Sequence, residues 1–300
     1  MSLSTISQAA RKLGSVLEPV VGQVYFSPEC HENYVELGFD PSPAKAGEVA
    51  LPDGPAYFTS RGSVMGQVPG ELVAAAFAVF NPDVVIPAVT LGWTRTDATT
   101  ICDARTAGAV AQLRRLLGPA PDGVERVAEL LKRATDPLRP EGRPLYAGVR
   151  SLGVPDDPLA AVWRLGDQLR EYRGDCHTAA WTSAGFDATE IGLLSELYWG
   201  LPMRSYSRTR AWTDQQFDAA CERLCSRGLV DDVGFTEAGR DVREALEVAT
   251  DQQMRPALDA LGSDISELFE VVTPWGAAVR AGGGYLASGP HDLGGLSRPS

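Results

Sequence analysis

Lysine is almost missing from this 300-residue chain. Only Lys12, Lys45 and Lys132 occur, so 24 of its 27 basic side chains are arginines. Histidine is as scarce, with three copies at His31, His177 and His291. Positive charge as a whole is short: 39 Asp and Glu outweigh the bases and leave a formal charge of −12. That sign argues against broad, charge-driven binding to nucleic acid or to an anionic membrane, because a polyanion repels polyanions. Long apolar runs are missing too. The longest candidate, residues 72–80, is about half of the ~20 residues that a membrane helix needs. No charged leader precedes an apolar stretch at residues 1–5, so no signal peptide is expected and the chain reads as cytoplasmic.

The five cysteines are odd in number and irregular in spacing, which argues against a disulfide framework or a zinc site. Cys221 and Cys225 stand four apart in a helical stretch and read as small core residues. His31 and His291 lack the spacing of a metal cluster, and Gly62-Ser63-Val64-Met65-Gly66 lacks the Lys-Ser/Thr ending of a phosphate loop. The sequence names no metal and no cofactor.

What is present is helical periodicity. It predicts a mainly α protein, with helices over residues 15–26, 30–37, 72–80, 97–117, 124–134, 158–184, 188–200, 213–227, 236–250 and 263–281. Residues 40–56, rich in Pro, Gly and Ala, read as a loop, and 57–61 as a short strand or exposed corner. Prolines 137, 140, 144 and 155 mark residues 135–157 as a linker or crossover. It would join a helical N-terminal domain (1–134) to a C-terminal domain (158–281), with 282–300 as a flexible tail.

Residues 188–250 carry the most specific pattern. Ile191, Leu194, Leu197 and Tyr198 recur at helical spacing. Thr213 reads as the N-cap of a second helix that presents Phe217, Ala220, Cys221, Leu224 and Cys225 to a core and ends at Arg227-Gly228. Residues 229–235 read as a tight two-stranded wing, and Thr236 caps the next helix. Leu224, Arg227, Gly228, Leu229, Val230, Phe235, Thr236, Gly239 and Arg240 together resemble the recognition helix, wing and following helix of MarR-type winged-helix proteins. Three further segments resemble an actinobacterial family of helix-turn-helix, MarR-like proteins: Tyr57-Phe58-Thr59-Ser60-Arg61, the run from Arg170 to His177, and Arg210-Ala211-Trp212. The resemblance implies a winged-helix module in the C-terminal half and a second, degenerate winged-helix unit in the helical N-terminal half. It also implies a homodimer and a small-molecule ligand that is anionic or aromatic.

A DNA reader of this type inserts Arg, Lys, Asn or Gln from its second helix into the major groove and a basic wing into the minor groove. Gln215 and Gln216 have the chemistry to read adenine edges. Yet residues 213–235 hold five acids against Arg223 and Arg227, and the wing tip carries Asp231 and Asp232. Nucleic acid is therefore the less expected partner.

Residues 163–181 form the second informative stretch. At about 100° per residue, Leu165, Leu169, Tyr172 and Cys176 make a core stripe, and Arg164, Asp167, Glu171 and Asp175 read as a solvated one. Between them run Trp163, Arg170, Gly174, His177 and Trp181, with Arg173 at the edge. That mixture reads either as a pocket wall or as an internal salt-bridge helix. In a pocket, the arginines would pair with an anion, the tryptophans would cover an apolar body, and His177 would donate, accept or act as a base. Arg61 is expected to point into the same cleft. The reading is a non-catalytic, small-molecule-binding or regulatory protein with its site at Arg61, Trp163, Arg170, Arg173, His177 and Trp181. The alternatives are a DNA-binding repressor using Gln215 and Gln216, and an enzyme of specialised metabolism using His177 as general base.

Overall fold

Proline and short polar side chains fix where the helices begin. The computed structural model describes residues 3–232 and 234–286. The order is α1 (Leu3–Val21), α2 (Pro28–Glu36), a β1–β2 hairpin (Lys45–Ala46, Val49–Ala50), α3 (Gly54–Gly62), α4 (Gly70–Phe77), α5 (Pro82–Arg95), α6 (Ala98–Leu117) and α7 (Val124–Thr135). There follow α8 (Pro144–Ser151), α9 (Pro158–Ser183), α10 (Ala188–Tyr198), α11 (Asp214–Ser226), a β3–β4 hairpin (Val230–Asp231, Gly234–Phe235), α12 (Glu237–Gln253), α13 (Arg255–Leu261) and α14 (Ile265–Ala281). The protein is mainly helical.

Asp53, Asn81, Asp97, Asp157 and Thr236 each cap a helix by accepting a backbone N–H in its first turn. Asp187 with Glu190 and Thr213 with Gln216 form reciprocal capping boxes at α10 and α11. Several prolines open helices, where the missing N–H costs nothing. Pro144 and Pro158 do so inside and just beyond the proline-rich stretch, which therefore holds α8, packed on α9.

The 26-residue α9 is the axis of the molecule, packed by α1, α6, α7, α8 and α12. The largest core joins both ends of the chain: Ile6, Leu13 and Val20 of α1 meet Trp163, Leu165 and Leu169 of α9 and Val272 and Val279 of α14. The boundaries at 134 and 157 mark no gap in it. A second core gathers Phe58, Phe77, Phe80, Val85 and Val89 around α3–α5. A third holds Ile191, Leu194, Phe217, Leu224 and Leu229 with Trp181 and Leu246. Close approach is decided by glycine at Gly108 of α6. A Cβ there would lie 2.6 Å from the Cα of Cys30, so α2 and α6 pack backbone to backbone.

Several expectations are corrected. Residues 57–61 belong to α3, because Asp53 caps the helix and Tyr57 and Phe58 stack on Phe77 and Phe80. Helix α1 starts a dozen residues earlier than its periodicity suggested, and α5 tolerates Pro87 in its interior. Cys225 is exposed and Cys221 only partly covered; Phe217, Ala220 and Leu224 carry the buried face of α11. No described helix is long and apolar enough to cross a membrane. Of the proposed tail, 282–286 are described and Tyr285 is buried, while 287–300, with His291, lie outside the described residues, as does Val233.

Candidate functional site

A cavity of about 260 Å³ lies where α1, α3, α9, α10 and α12 converge. Leu13, Leu17 and Val21 of α1, Leu169 of α9 and Met254 make its apolar walls. Arg61 reaches in from α3; Arg170, Arg173, Gly174 and His177 line it from α9. Ser195 of α10, the following Trp199, and Arg243 and Glu247 of α12 complete it.

The arginines are not bare. Arg61 grips Glu171 with two bonds, Nη2 to Oε2 at 2.7 Å and Nε to Oε1 at 3.1 Å, and its guanidinium lies over Phe77 at 4.6 Å. Arg170 holds Glu18 at 2.9 and 3.2 Å and also donates to Glu171 at 3.2 Å and to Tyr25 at 3.1 Å. Arg173 donates to Glu247 and, at 3.0 Å, to Asp251; Arg243 donates to the other oxygen of Glu247 at 2.7 Å. Burial alone would raise the Glu171 pKa, but Arg61 and then Arg170 outweigh it and bring the carboxyl down to about 2. Glu247 is likewise held well below the usual range, with burial opposed by Arg173 and Arg243.

His177 has a hydroxyl, not a charged group, as its hydrogen-bond partner. Its Nδ1 lies 3.1 Å from Thr250 Oγ1. The Thr250 hydroxyl donates to the carbonyl of Leu246 at 2.8 Å, so it accepts from the histidine. This network assigns the proton to Nδ1 and leaves Nε2 with a lone pair. Burial first, then the nearby charges of Arg243 and Arg173, push its pKa down to about 3, with only Glu247 opposing. The ring is neutral at pH 7. Two buried donors of the wall, Trp199 Nε1 and Arg173 Nε, have no hydrogen-bond partner. Gly174 is exposed to the cavity, and a Cβ there would meet only Glu171 Oε2 at 3.9 Å. No helix approaches it, so the glycine keeps space open rather than admitting a neighbouring backbone.

The structure thus brings Arg61, Arg170, Arg173 and His177 to one cavity and leaves two expected members out. Trp163 is fully buried in the main core; its Nε1 donates to the carbonyl of Val21 at 3.2 Å and its ring carries the Arg105 guanidinium at 4.9 Å. Trp181 packs into the core around α10 and α11. Both lie on the stripe of Arg170 and His177, but one to two turns beyond the stretch that the cavity spans. The stripe read as solvated is corrected outright: Arg164, Asp167, Glu171 and Asp175 are 5%, 0%, 1% and 4% exposed. Asp167 is gripped by Arg105 of α6, and Asp175 accepts the Tyr146 N–H at the start of α8. Glu18, Glu171 and Glu247, the acids that hold the cavity arginines, were therefore not identified from sequence. Helical periodicity gives a charged face the same pattern whether it meets water or a facing ion-pair partner.

Beside the cavity, α10 leads through residues 199–213 to α11. This connection is bonded to the corner between α4 and α5: Trp212 Nε1 donates to the carbonyl of Val79 at 2.9 Å, and Asn81 donates to those of Arg210 and Ala211 at 2.9 and 3.0 Å. Among the described residues, the non-glycine positions with positive φ are Ala78, Arg204 and Ala211, all at this junction. Gln216 is occupied by its capping box, accepting from Thr213, whereas Gln215 is exposed. The cations of the region are engaged as well. Arg223 pairs with Asp187 and Glu190, Arg204 with Asp218, Arg208 with Asp214, and Arg227 lies over Phe186 at 3.9 Å.

The chain belongs to a helix-turn-helix family, whose model matches residues 10–286. No curated protein and no solved structure matches it.

Proposed function

We propose that this protein is a regulatory, MarR-like member of its helix-turn-helix family that binds a small molecule in the cavity at Arg61, Arg170, Arg173 and His177 and does so without catalysis. One observation carries this reading. The cavity is walled jointly by the central helix and by Ser195 and Trp199 at the end of α10, the helix that leads into α11. A guest touching Trp199 bears on the strained connection that positions α11, so occupancy and α11 orientation are coupled. In this reading α10, α11 and the β3–β4 hairpin are the winged-helix module. His177 is a poor general base, since a group with a pKa of about 3 has little driving force to take a proton at pH 7. The test is fluorescence of Trp199 under titration with small molecules, with Trp199→Phe as the control. A signal that persists unchanged in Trp199→Phe overturns the placement of the guest.

Family membership favours a second reading, DNA binding through α11. The outward residues of α11 weigh against it, because Asp214, Asp218 and Glu222 are exposed and each arginine beside them would have to leave an acid to meet a phosphate. An electrophoretic shift with genomic fragments at low salt, lost in Gln215→Ala, establishes that reading; no shift at low salt removes it.

A further inference from the structure

The charges of the cavity wall determine what kind of guest it accepts. Arg61 holds Glu171, Arg170 holds Glu18, Arg173 reaches Glu247 and Asp251, and Arg243 holds Glu247. Four guanidiniums meet four carboxylates. Behind them Arg11 bridges Asp251 and Glu244, so the network closes on itself. An incoming carboxylate would have to take a guanidinium from a buried acid and strand that acid unpaired in a low-dielectric wall. An incoming cation would find every carboxylate oxygen pair already gripped by arginine. The wall therefore disfavours either sign.

Two donors of the wall, Trp199 Nε1 and Arg173 Nε, are unpaired but closed off by the packing around them, so what it offers instead is a hydrogen-bond acceptor. Nδ1 of His177 is committed to Thr250, whose own proton goes to Leu246. Nε2 takes no hydrogen bond from any described residue, and the ring that carries it lines the cavity. A neutral imidazole lone pair in an apolar wall calls for an O–H or N–H. Leu13, Leu17, Leu169 and Met254 supply the apolar surface around it, and Gly174 keeps the floor bare.

We infer that the guest is an uncharged, largely apolar molecule carrying a hydroxyl or N–H that donates to Nε2 of His177. This deepens the ligand-binding reading above and rests on it. It replaces the anionic guest expected from the MarR-like resemblance and from Arg170 and Arg173 by an uncharged one.

The test uses three probes of one shape: 2-naphthol, 2-naphthoate and naphthalene, titrated at pH 7 by calorimetry. On the full-length protein, 2-naphthol binds and 2-naphthoate binds at least ~10-fold more weakly. His177→Phe keeps a planar ring and removes the lone pair. It weakens 2-naphthol by ~10-fold, the size of one net hydrogen bond, and leaves naphthalene unchanged. If 2-naphthoate binds as tightly as 2-naphthol or more tightly, the uncharged class is wrong while the cavity remains a binding site. If His177→Phe leaves 2-naphthol unaffected, the donor contact is wrong. If none of the three binds at millimolar concentration, the ligand-binding function falls, and this inference with it. The wild-type comparison decides the charge question even where the variant does not fold.

Discussion

Replacing Glu171 by glutamine tests the physical core of the site. The carboxylate is 1% exposed and takes two bonds from Arg61, one from Arg170 and one from Tyr25. Glutamine keeps the shape but withdraws the charge. Arg170 retains Glu18, whereas Arg61 is left buried without a counter-charge, holding at most one amide oxygen, the hydroxyl of Tyr57 and the face of Phe77. Removing one partner of a buried ion pair costs ~3–5 kcal/mol, because the other charge stays behind without compensation. An independent route gives a similar size. A carboxyl lowered from 4.5 to about 2 is linked to ~3 kcal/mol of stability. The folded pKa is below the unfolded one, so this contribution is present above pH 4.5 and disappears as the pH falls through 2. Urea unfolding followed by circular dichroism measures both effects. At pH 7 Glu171→Gln loses ~3–5 kcal/mol, and the gap between variant and wild type narrows as the pH approaches 2. The exposed pair Lys132–Asp136 is the control, since both side chains are 61% exposed and Asp136→Ala changes stability by under ~1 kcal/mol. A loss below ~1 kcal/mol in Glu171→Gln at pH 7, or a gap that stays constant down to pH 2, refutes the reasoning.

Other outcomes follow from the same structure. Gly174→Ala raises the thermal midpoint, with up to ~1 kcal/mol of added helix stability, because its Cβ enters open space. Gly108→Ala lowers it, by ~1–3 kcal/mol, because its Cβ collides with the backbone at Cys30. Burial pushes the Asp175 carboxyl up to about 7. Its folded value exceeds the unfolded one, so stability is fully present below pH 4 and is lost as the pH rises through 7, by ~4 kcal/mol at most. Asp175→Asn keeps the acceptor for the Tyr146 N–H and removes this decline between pH 4 and pH 7 in urea unfolding. Ala211→Gly relieves a left-handed residue in the connection before α11 and stabilises by ~1 kcal/mol by calorimetry.

The fold was legible where local signals agree with packing. Thr213, Phe217, Leu224 and Gly228 mark the start, buried face and end of α11, and the structure uses each in that role. The stripe of Arg170 and His177 led to the cavity because the 3.6-residue period places both on one side of α9. Length along the helix was not legible. The period says which side Trp163 and Trp181 take, but not where α1, α3 and α12 stop covering that side. The acids escaped for a different reason. Glu18 and Glu247 come from helices distant in sequence, and Glu171 has the helical phase of a water-facing residue. Tyr57-Phe58-Thr59-Ser60 has strand-like composition, and its helix is dictated by the Asp53 cap and by contact with Phe77 and Phe80, which no local window contains.

One economy of charge links the cavity to α11. In an acidic chain with almost no lysine, an arginine near several carboxylates gains more from a buried or half-buried acid than from waiting for an external anion. Arg61, Arg170, Arg173 and Arg243 are held in this way around the cavity. Arg204, Arg208 and Arg223 are held around α11 by Asp218, Asp214, Asp187 and Glu190. The same commitment has opposite chemical meaning at the two places. At the surface, pairing is screened and weak, so DNA phosphates at low salt can compete for Arg223. Inside, the paired acid has no solvent to retreat to, and an anionic guest cannot compete for Arg61 or Arg173. A DNA contact through α11 would therefore vanish steeply with salt, whereas the cavity's choice of an uncharged guest would barely respond to it. Measuring both affinities between 20 mM and 300 mM salt separates the two: a cavity affinity as salt-dependent as an α11–DNA contact would mean that its arginines are free after all.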